Sequence, residues 1–320
     1  MQSRVIYFNE KLHRYTDDFG NPYTSATTLY GKYIDKFDNK TIAKACEAIG
    51  RNPNHPKYSI YKNKTRFQIQ KEWDLAAKKG QDRGNVKHGF LECATKEATG
   101  YKLIEGTDFI NDRLYTIDNI LQGHDYGLLS IDTFRQLGVE EKYPKIFDAL
   151  VKLTNKGYKI YAEIGAYMYE TLISGLIDLL AVRGNEFIIF DWKTNRDDIR
   201  FESGYFEKDR FGNPSDRFIF KNGTFNYPLN HIPDSTGHKY TIQLSIYDYL
   251  VEQFGLVCKG NLLFHIRHEV YSIEDNVPTS YIGKEKVDIL PIQYLKSDVE
   301  LMINHFVKEK QGNNLTMKFN

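Results

Sequence analysis

The segment "GLIDLLAVRGNEFIIFDWKTN" places three charged side chains inside two apolar runs. The charged residues are Asp178, Asp191 and Lys193, and the runs are separated by Gly184-Asn185 and its neighbours. If these two residues form a β-hairpin turn, continuing the register places Asp178 opposite Asp191 on the paired strand. Opposed side chains have Cβ atoms about 4.5–5.5 Å apart. Lys193 follows Asp191 by two residues, so it shares the same face of the sheet.

Two neighbouring carboxylates repel each other, so one holds a proton or a cation lies between them. A hard divalent cation such as Mg²⁺ takes oxygen ligands and keeps waters for a substrate phosphate. Lys193 could then position or deprotonate an attacking water, or stabilise developing charge. The alternative is that Lys193 simply pairs with one aspartate, although buried ion pairs offset desolvation poorly. The pattern favours metal-assisted phosphodiester hydrolysis.

The elements that must position these residues alternate between strand and helix, which predicts a mixed α/β fold. From the start to the hairpin, the sequence predicts a short β element and a Thr- or Ser-capped helix start in 5–30, a helix over 67–99, mostly helices over 100–160 and strands over 161–193. After the hairpin it predicts an irregular polar insertion at 200–238, a helix over 240–255, a strand over 261–273 and a helix over 297–312 capped by Ser297.

Composition sets wide bounds on function. The chain has 320 residues, 41% hydrophobic and 27% charged, with a formal net charge of +1. That balance is typical of a globular protein and excludes a global basic field for nucleic acid. The three cysteines form no CxxC, which argues against a zinc ribbon or a disulfide framework and fits a reducing cytoplasm. We also expect no secretory signal and no membrane span.

One stretch is locally basic: residues 51–66 contain five Lys or Arg residues and no acid. Its functional interpretation is a loop that grips a phosphate backbone, and its alternative is a solvated linker. The candidate DNA-binding residues of this stretch are Arg51, Lys57, Tyr58, Tyr61, Lys62, Lys64 and Arg66.

Asp178 and the element Asp191-Trp192-Lys193 together resemble the PD-(D/E)XK nucleases. The similarity is to the branch with RecB-type nuclease domains, CRISPR adaptation nucleases and the mitochondrial genome maintenance exonuclease. It implies a restriction-endonuclease-like core, a mixed central sheet flanked by helices, here with a helical N-terminal region. It also implies that Asp178 and Asp191 bind metal and that the backbone carbonyl of Trp192 completes the site.

Further matches to this family lie on both sides of the hairpin. Gly84-x3-His88 resembles its upstream helical element, which implies His88 as a metal ligand and Gly84 as a point of close backbone approach. Glu163 resembles an acidic residue that often precedes the first strand, which implies contact with the metal through water or orientation of a ligand. Gln243 and Tyr247 resemble the Gln-x3-Tyr motif that orients the lysine, water or phosphate. Each also has a structural alternative. His88 could be a packed or surface histidine, Glu163 a strand-end carboxylate, and Tyr247 a buried tyrosine with a polar neighbour.

The resemblance covers residues 73–250, and a looser similarity of 1–65 to phage-encoded members suggests a viral or bacterial source. We expect residues 1–65 to form an N-terminal β/helical extension with the basic loop, and 66–320 to form the nuclease core, all in one compact unit. Some relatives carry a four-cysteine iron–sulfur cluster, but here no cysteine follows Cys258, so we predict none.

The leading expectation is a Mg²⁺- or Mn²⁺-dependent DNA exonuclease acting on single strands or DNA ends in recombination, replication or repair. It would work in the cytoplasm, the host's if the protein is viral, with a helicase or single-strand annealing protein as a possible partner. An endonuclease or junction resolvase is an alternative on the same fold. A non-catalytic DNA-binding module is another, against which the intact Asp178, Asp191 and Lys193 argue.

Overall fold

The computed structural model describes residues 5–9, 11–99, 112–195, 198–208, 214–274 and 277–317. The strands in this part of the chain are Ile6–Asn9 (β1), Arg14–Asp17 (β2), Pro22–Ser25 (β3), Asp112–Arg113 (β4), Tyr115–Thr116 (β5), Lys159–Met168 (β6), Ile173–Arg183 (β7), Glu186–Lys193 (β8), Gly204–Lys208 (β9), Pro214–Phe220 (β10), Val257–Glu274 (β11) and Val277–Ile292 (β12).

The helices of the described residues alternate with groups of strands along the chain, and three of them are much longer than the rest. They are Ala26–Tyr30 (α1), Asn39–Ile49 (α2), Tyr58–Tyr61 (α3), Arg66–Ala98 (α4), Ile117–Leu121 (α5), Ile131–Gln136 (α6), Val139–Lys142 (α7), Pro144–Thr154 (α8), Thr236–Glu252 (α9) and Lys296–Met317 (α10). No helix in the described ranges is long and apolar enough to cross a membrane.

The fold is α/β, with a mixed central sheet flanked by helices. Its strand order is β12-β11-β8-β7-β3-β2-β1-β4, with β6 paired to β7 and β5 paired to β6. β7 is antiparallel to β6 and β8, whereas β11 runs parallel to β8 after the α9 crossover. Beyond the last β8 pair, β7 pairs instead with β3 at Ile173 and Ser174. The strands β8 and β3 therefore share one side of β7.

The predicted hairpin register is confirmed along β7 and β8 as far as the pair of Leu179 with Phe190. Arg183 pairs with Glu186 and Leu179 with Phe190, leaving Gly184-Asn185 as the two-residue turn. Gly184 has φ +58. A positive φ at the first central residue is what a type II′ turn requires, and that turn matches the twist of the paired strands. The short-range pattern was therefore sufficient to determine this hairpin.

Two hydrophobic cores cover the two faces of the sheet. Leu180 and Ile189 belong to the core that α9 and α10 complete, which we call the α9 face. Leu179 and Phe190 belong to the core formed with α8 and the last turns of α4, which we call the α8 face. Alternation along each strand therefore assigns every second residue to one face. Pro144 at the start of α8 and the Ser235 side-chain cap of α9 define where these two helices begin.

Several sequence predictions need correction. Ser297 lies inside α10, which begins at Lys296, so it is not the cap. The segment 200–238 contains the two-stranded sheet β9–β10, so it is not wholly irregular. The single short β element predicted near the start is three strands, which join the central sheet through β3. The strand β12 was not predicted at all.

A buried acid links α9 to β11. Asp248 is fully buried and accepts hydrogen bonds from the Asn261 side-chain amide and the Cys258 thiol. Burial raises the pKa of the Asp248 carboxyl to about 7, although both hydrogen bonds act in the opposite direction. The carboxyl is thus protonated in the folded protein at pH values where it is ionised in the unfolded chain.

We expect Asp248 to make the protein less stable as pH rises. The pKa of its carboxyl is higher in the folded than in the unfolded protein, so its contribution to stability is fully present below about pH 4 and is lost as pH rises through about 7. Between these values the unfolding free energy should fall by at most about 1.4 kcal/mol per pH unit. Asp248→Asn should flatten the dependence of the unfolding free energy on pH between these values. Denaturant titrations at several pH values measure this. Asp132→Asn, which removes an exposed carboxyl, should leave the slope unchanged. An equal slope in the Asp248 variant would contradict the assignment.

Candidate active site

Three acidic residues lie at the same level on three adjacent strands. The β6–β7 register flanks Glu163 and Asp178, with Ala162 opposite Leu179 and Ile164 opposite Ile177. The β7–β8 register ends at the pair next to Asp178 and Asp191. The sheet therefore aligns Glu163, Asp178 and Asp191 in one row.

The row coincides with an irregularity in both β6 and β7. Glu163 has φ +55, a left-handed conformation that is costly for a residue with a Cβ atom. Tyr161 and Ile164 both belong to the α9 face, so the alternation of β6 is reset at Glu163. On β7, Ile177 and Leu180 share that face in the same way. Backbone strain of this kind is retained where the surrounding structure enforces it, and it concentrates at functional sites.

Asp178 and Asp191 are held close to each other by the hairpin. The backbone amide of Trp192 donates to Oδ2 of Asp178 at 3.3 Å, which brings the Asp178 carboxylate against the Asp191 segment. Asp191 is only 3% exposed. The Trp192 side chain is buried on the α8 face, so the neighbouring Asp191 lies on the α9 face. Leu180, which is two residues along β7 from Asp178, also lies on the α9 face.

Lys193 forms the positive member of the cluster. Its Nζ lies 2.7 Å from Oδ2 of Asp191, and its side chain is 18% exposed. The Nζ also lies 4.8 Å from the centre of the Tyr240 ring on α9. Burial by itself lowers the pKa of Lys193, but the carboxylates of Asp191 and Asp178 outweigh it and hold the pKa above its ordinary value. Lys193 is therefore an ammonium ion at neutral pH.

Gln243 and Tyr247 lie on α9 and are both buried against the site. The Gln243 side-chain amide donates to the Tyr247 hydroxyl at 3.0 Å, as expected for residues one helical turn apart. Burial and the neighbouring Tyr15 raise the pKa of Tyr247 well above its ordinary value, and Asp191 and Asp178 add to this effect. A methyl group added to Gly175 would lie 2.3 Å from Cε1 of Tyr247, so the glycine makes room for the ring on β7.

The structure brings two further tyrosines to the site that the sequence interpretation missed. Burial raises the pKa of Tyr15 on β2, and the charges of Glu163 and Asp178 raise it further. Burial also raises the pKa of Tyr30 on α1, with Lys193 acting in the opposite direction. Both come from the N-terminal extension. Their chain positions carried no signal, because only the pairing of β3 with β7 places them beside the hairpin.

A short polar network continues from Lys193 along the sheet. The Tyr240 hydroxyl donates to the side-chain oxygen of Asn195 at 2.6 Å. The backbone oxygen of Asn195 lies 3.0 Å from Nε2 of His265, which is buried and pairs with Lys193 in the β8–β11 register. Burial lowers the pKa of His265, which favours the neutral imidazole. This network was also not predicted.

The Gly84-x3-His88 element lies in α4 as predicted, but the side chains of residues 79–89 are outside the described part of the structure. Leu91 and Ala94, further along the same helix, pack on the α8 face, opposite the face of Asp191. Glu92 pairs with Lys96 at 2.6 Å. His88 and Gly84 therefore remain predictions.

The basic stretch is largely engaged in local contacts. Arg51 pairs with Glu47, and Lys64 pairs with Glu72 at 2.8 Å. Tyr61 packs against a small core formed by Ala43, Cys46 and Ile69. Lys62 lies over the ring of Tyr58 and Arg66 over the ring of Phe67, so these two cations also have partners close to them in the sequence. A role for this stretch in DNA binding stays a prediction.

Within the described residues, no group of three or more His, Cys, Asp or Glu side chains has the spacing of a metal site. No protein-family model matches the chain, and a search of curated proteins returns no significant match. The site itself combines two adjacent carboxylates, a third in the same row, the buried ammonium ion of Lys193 and a surrounding shell of tyrosines.

We predict that Gly175→Ala displaces the Tyr247 ring and destabilises the protein by about 1–3 kcal/mol, the usual cost of overpacking. Thermal or denaturant unfolding measures the change. Gly31→Ala is a matched control, because a methyl group there meets nothing within 4 Å and its φ is −60. Equal stability of the two variants would contradict the close packing of Tyr247 on Gly175.

We further predict that Asp191→Asn lowers the pKa of Lys193, because burial then acts with one carboxylate fewer to oppose it. The titration of Lys193 can be followed by NMR in lysine-labelled, metal-free protein. Asp125→Asn is the control, since Asp125 forms an exposed ion pair with Lys159 at 2.9 Å. It should change the pKa of Lys159 and leave that of Lys193 as it is. An unchanged Lys193 titration in Asp191→Asn would show that the ion pair does not control this amine.

Proposed function

We propose that this protein is a Mg²⁺- or Mn²⁺-dependent deoxyribonuclease that hydrolyses phosphodiester bonds. The observation that carries the proposal is the placement of Asp178 and Asp191 side by side against the buried ammonium ion of Lys193. Two adjacent carboxylates repel each other, and a divalent cation bound between them would offset that repulsion.

The residues present fit such a cation. Carboxylate oxygens are its preferred ligands, and one or two carboxylates with waters and a substrate phosphate suffice for Mg²⁺. Oδ2 of Asp191 is buried and lies 2.7 Å from the Nζ of Lys193, so an ion bound there would lie next to the ammonium group. Asp178 and Asp191 would hold the ion, with Glu163 and the Trp192 carbonyl as further candidates from the family resemblance. The bound ion would polarise the phosphoryl group and favour an ionised water.

Lys193 acts in this proposal as a fixed positive donor. Because its pKa is raised, its Nζ retains three protons in the metal-free protein and can donate a hydrogen bond to water or to a phosphate oxygen as negative charge develops. Tyr240 and Asp191 contact its Nζ and thereby define where that donor lies. The role of a proton-accepting base is less compatible with the raised pKa.

The surrounding hydroxyl groups would orient the substrate. The pKa values of Tyr15, Tyr30, Tyr240 and Tyr247 are all raised, chiefly by burial, so these phenols stay protonated at neutral pH. A protonated phenol donates a hydrogen bond, and an anionic phosphate oxygen accepts one. Gln243 orients the Tyr247 hydroxyl through its amide.

We also propose a restriction-endonuclease-like core and exonuclease cleavage. A mixed central sheet flanked by helices is compatible with a restriction-endonuclease-like core. Exonuclease action on single strands or ends follows from the resemblance to the RecB-like branch.

The test is incubation with end-labelled single-stranded, duplex and circular DNA, each with Mg²⁺, Mn²⁺ or chelator. We expect linear strands to shorten with either ion, circles to survive and chelator to stop the reaction. Nicked or linearised circles would favour an endonuclease, and a mobility shift without products would favour a binding module.

Asp191→Ala and Lys193→Ala should each lower the cleavage rate at least about a hundredfold, the usual effect of removing a charge-stabilising group. Asp125→Ala and Lys159→Ala are matched controls, because these residues form an Asp–Lys pair of similar length on the exposed surface. Folding of all variants is checked by circular dichroism. Undiminished cleavage by the folded Asp191 and Lys193 variants would remove the assignment of this site.

A further inference from the structure

Two lysines meet at the edge of the core on the α9 face. The Nζ of Lys32, which follows α1, lies 4.4 Å from the centre of the Phe306 ring on α10. The Nζ of Lys310, one turn further along α10, lies 4.5 Å from the centre of the same ring. Phe306 is fully buried in this core. The two ammonium groups therefore lie close to each other around one aromatic ring, although they come from opposite ends of the chain.

A buried contact holds these two parts of the chain together. The Tyr33 hydroxyl donates to the Met302 carbonyl at 3.3 Å and lies 3.2 Å from Nδ1 of His305. Tyr33 is only 3% exposed. Because Tyr33 directly follows Lys32, this contact fixes the backbone of Lys32 against α10. The fold itself thus places Lys32 next to the part of α10 that carries Lys310.

Within the described residues, no acid neutralises the two lysines, and neither of them forms an ion pair. The acids nearest to them in the sequence have other partners. Asp35 accepts a hydrogen bond from the side-chain amide of Asn226 at 3.0 Å. Glu309 lies 3.9 Å from Nδ1 of His305 on its own helix. Residues 311–320 contain neither Asp nor Glu, so that segment offers no carboxylate either.

Two ammonium groups at close range repel each other. Burial lowers the pKa of Lys310, and the charge of Lys32 lowers it further. A like charge disfavours the charged form of an amine, so an anion bound between the two groups would relieve the repulsion.

Threonine hydroxyls add further hydrogen-bond donors around this pair. Oγ1 of Thr24 on β3 lies 3.4 Å from the Nζ of Lys310 and accepts from it, so the hydroxyl keeps its own proton to donate. Thr28, four residues before Lys32, accepts from the Ser25 hydroxyl at 2.8 Å and likewise keeps its proton. A surface that presents N–H and O–H donors without a carboxylate suits an oxyanion.

We propose that Lys32 and Lys310 form a binding site for a phosphate group, with Thr24 and Thr28 as further donors. A phosphate monoester carries about −1.5 to −2 charge at neutral pH and three strong acceptor oxygens, so it matches two ammonium groups better than a carboxylate does. Inorganic phosphate and the monoester of a nucleotide present the same group. The site uses no residue of the candidate active site, so it goes beyond the proposed nuclease function and does not depend on it.

The test follows the lysine side chains by NMR in metal-free, lysine-labelled protein. Inorganic phosphate is added in one titration and thymidine 5′-monophosphate in a second, both at constant ionic strength. We expect saturable shifts of the Lys32 and Lys310 signals and a rise in the pKa of Lys310, because a bound anion favours the ammonium form. Saturation by the nucleotide alone would assign the site to a nucleotide phosphate, and saturation by inorganic phosphate alone would assign it to the free ion.

Lys32→Gln and Lys310→Gln should each weaken binding at least about tenfold, because each removes one of two charges that contact the anion at close range. The signal of the remaining lysine reports the binding, and circular dichroism checks the fold. Lys142→Gln is the matched control, since Lys142 also lies over an aromatic ring, 4.1 Å from the centre of Phe90. That variant should bind with the parent affinity, as should Lys193→Ala, which removes the ammonium ion of the candidate active site.

Lys32 and Lys310 signals that change no more with phosphate than with chloride at the same ionic strength overturn the proposal. Parent affinity in the folded Lys32→Gln and Lys310→Gln proteins does the same. Loss of binding in Lys193→Ala would assign the phosphate to the candidate active site and also remove this inference. Phosphate binding that depends on Lys32 and Lys310 in a protein that cuts no DNA would support the site while removing the nuclease assignment.

Discussion

The interaction on which the rest of the site depends is the pairing of one buried ammonium ion with carboxylates that the sheet forces together. Lys193 alone in an apolar sheet would favour its neutral form, and Asp178 with Asp191 alone would favour a shared proton. Placed next to Asp191 and Asp178, Lys193 has a raised pKa and stays an ammonium ion.

The charged cluster coincides with an irregular backbone in the sheet. Glu163 adopts φ +55, and the strands β6 and β7 both shift their alternation at the same level. The shift lets apolar residues on either side of the acids stay in the same core while the acids themselves line up. The turn at Gly184 joins the two strands that carry the aspartates, and Gly175 leaves the space that the Tyr247 ring fills.

The N-terminal extension is part of the site. The strand β3 occupies the side of β7 that β8 leaves free, and this pairing brings Tyr15 and Tyr30 next to the charged cluster. With Tyr240 and Tyr247 from α9, they surround the charges with phenols that burial keeps protonated.

The sequence alone determined the features that depend on short-range pattern. The Gly184-Asn185 turn, the register that opposes Asp178 to Asp191, and the helical spacing of Gln243 and Tyr247 follow from period and turn chemistry over a few residues. Tertiary structure alone decided which distant residues join them. The contribution of Tyr15 to the site and the Asn195–His265 network depend on strand pairings and packing between residues far apart in the chain. Such contacts leave no local periodicity, because their geometry is set by how the layers of the fold meet.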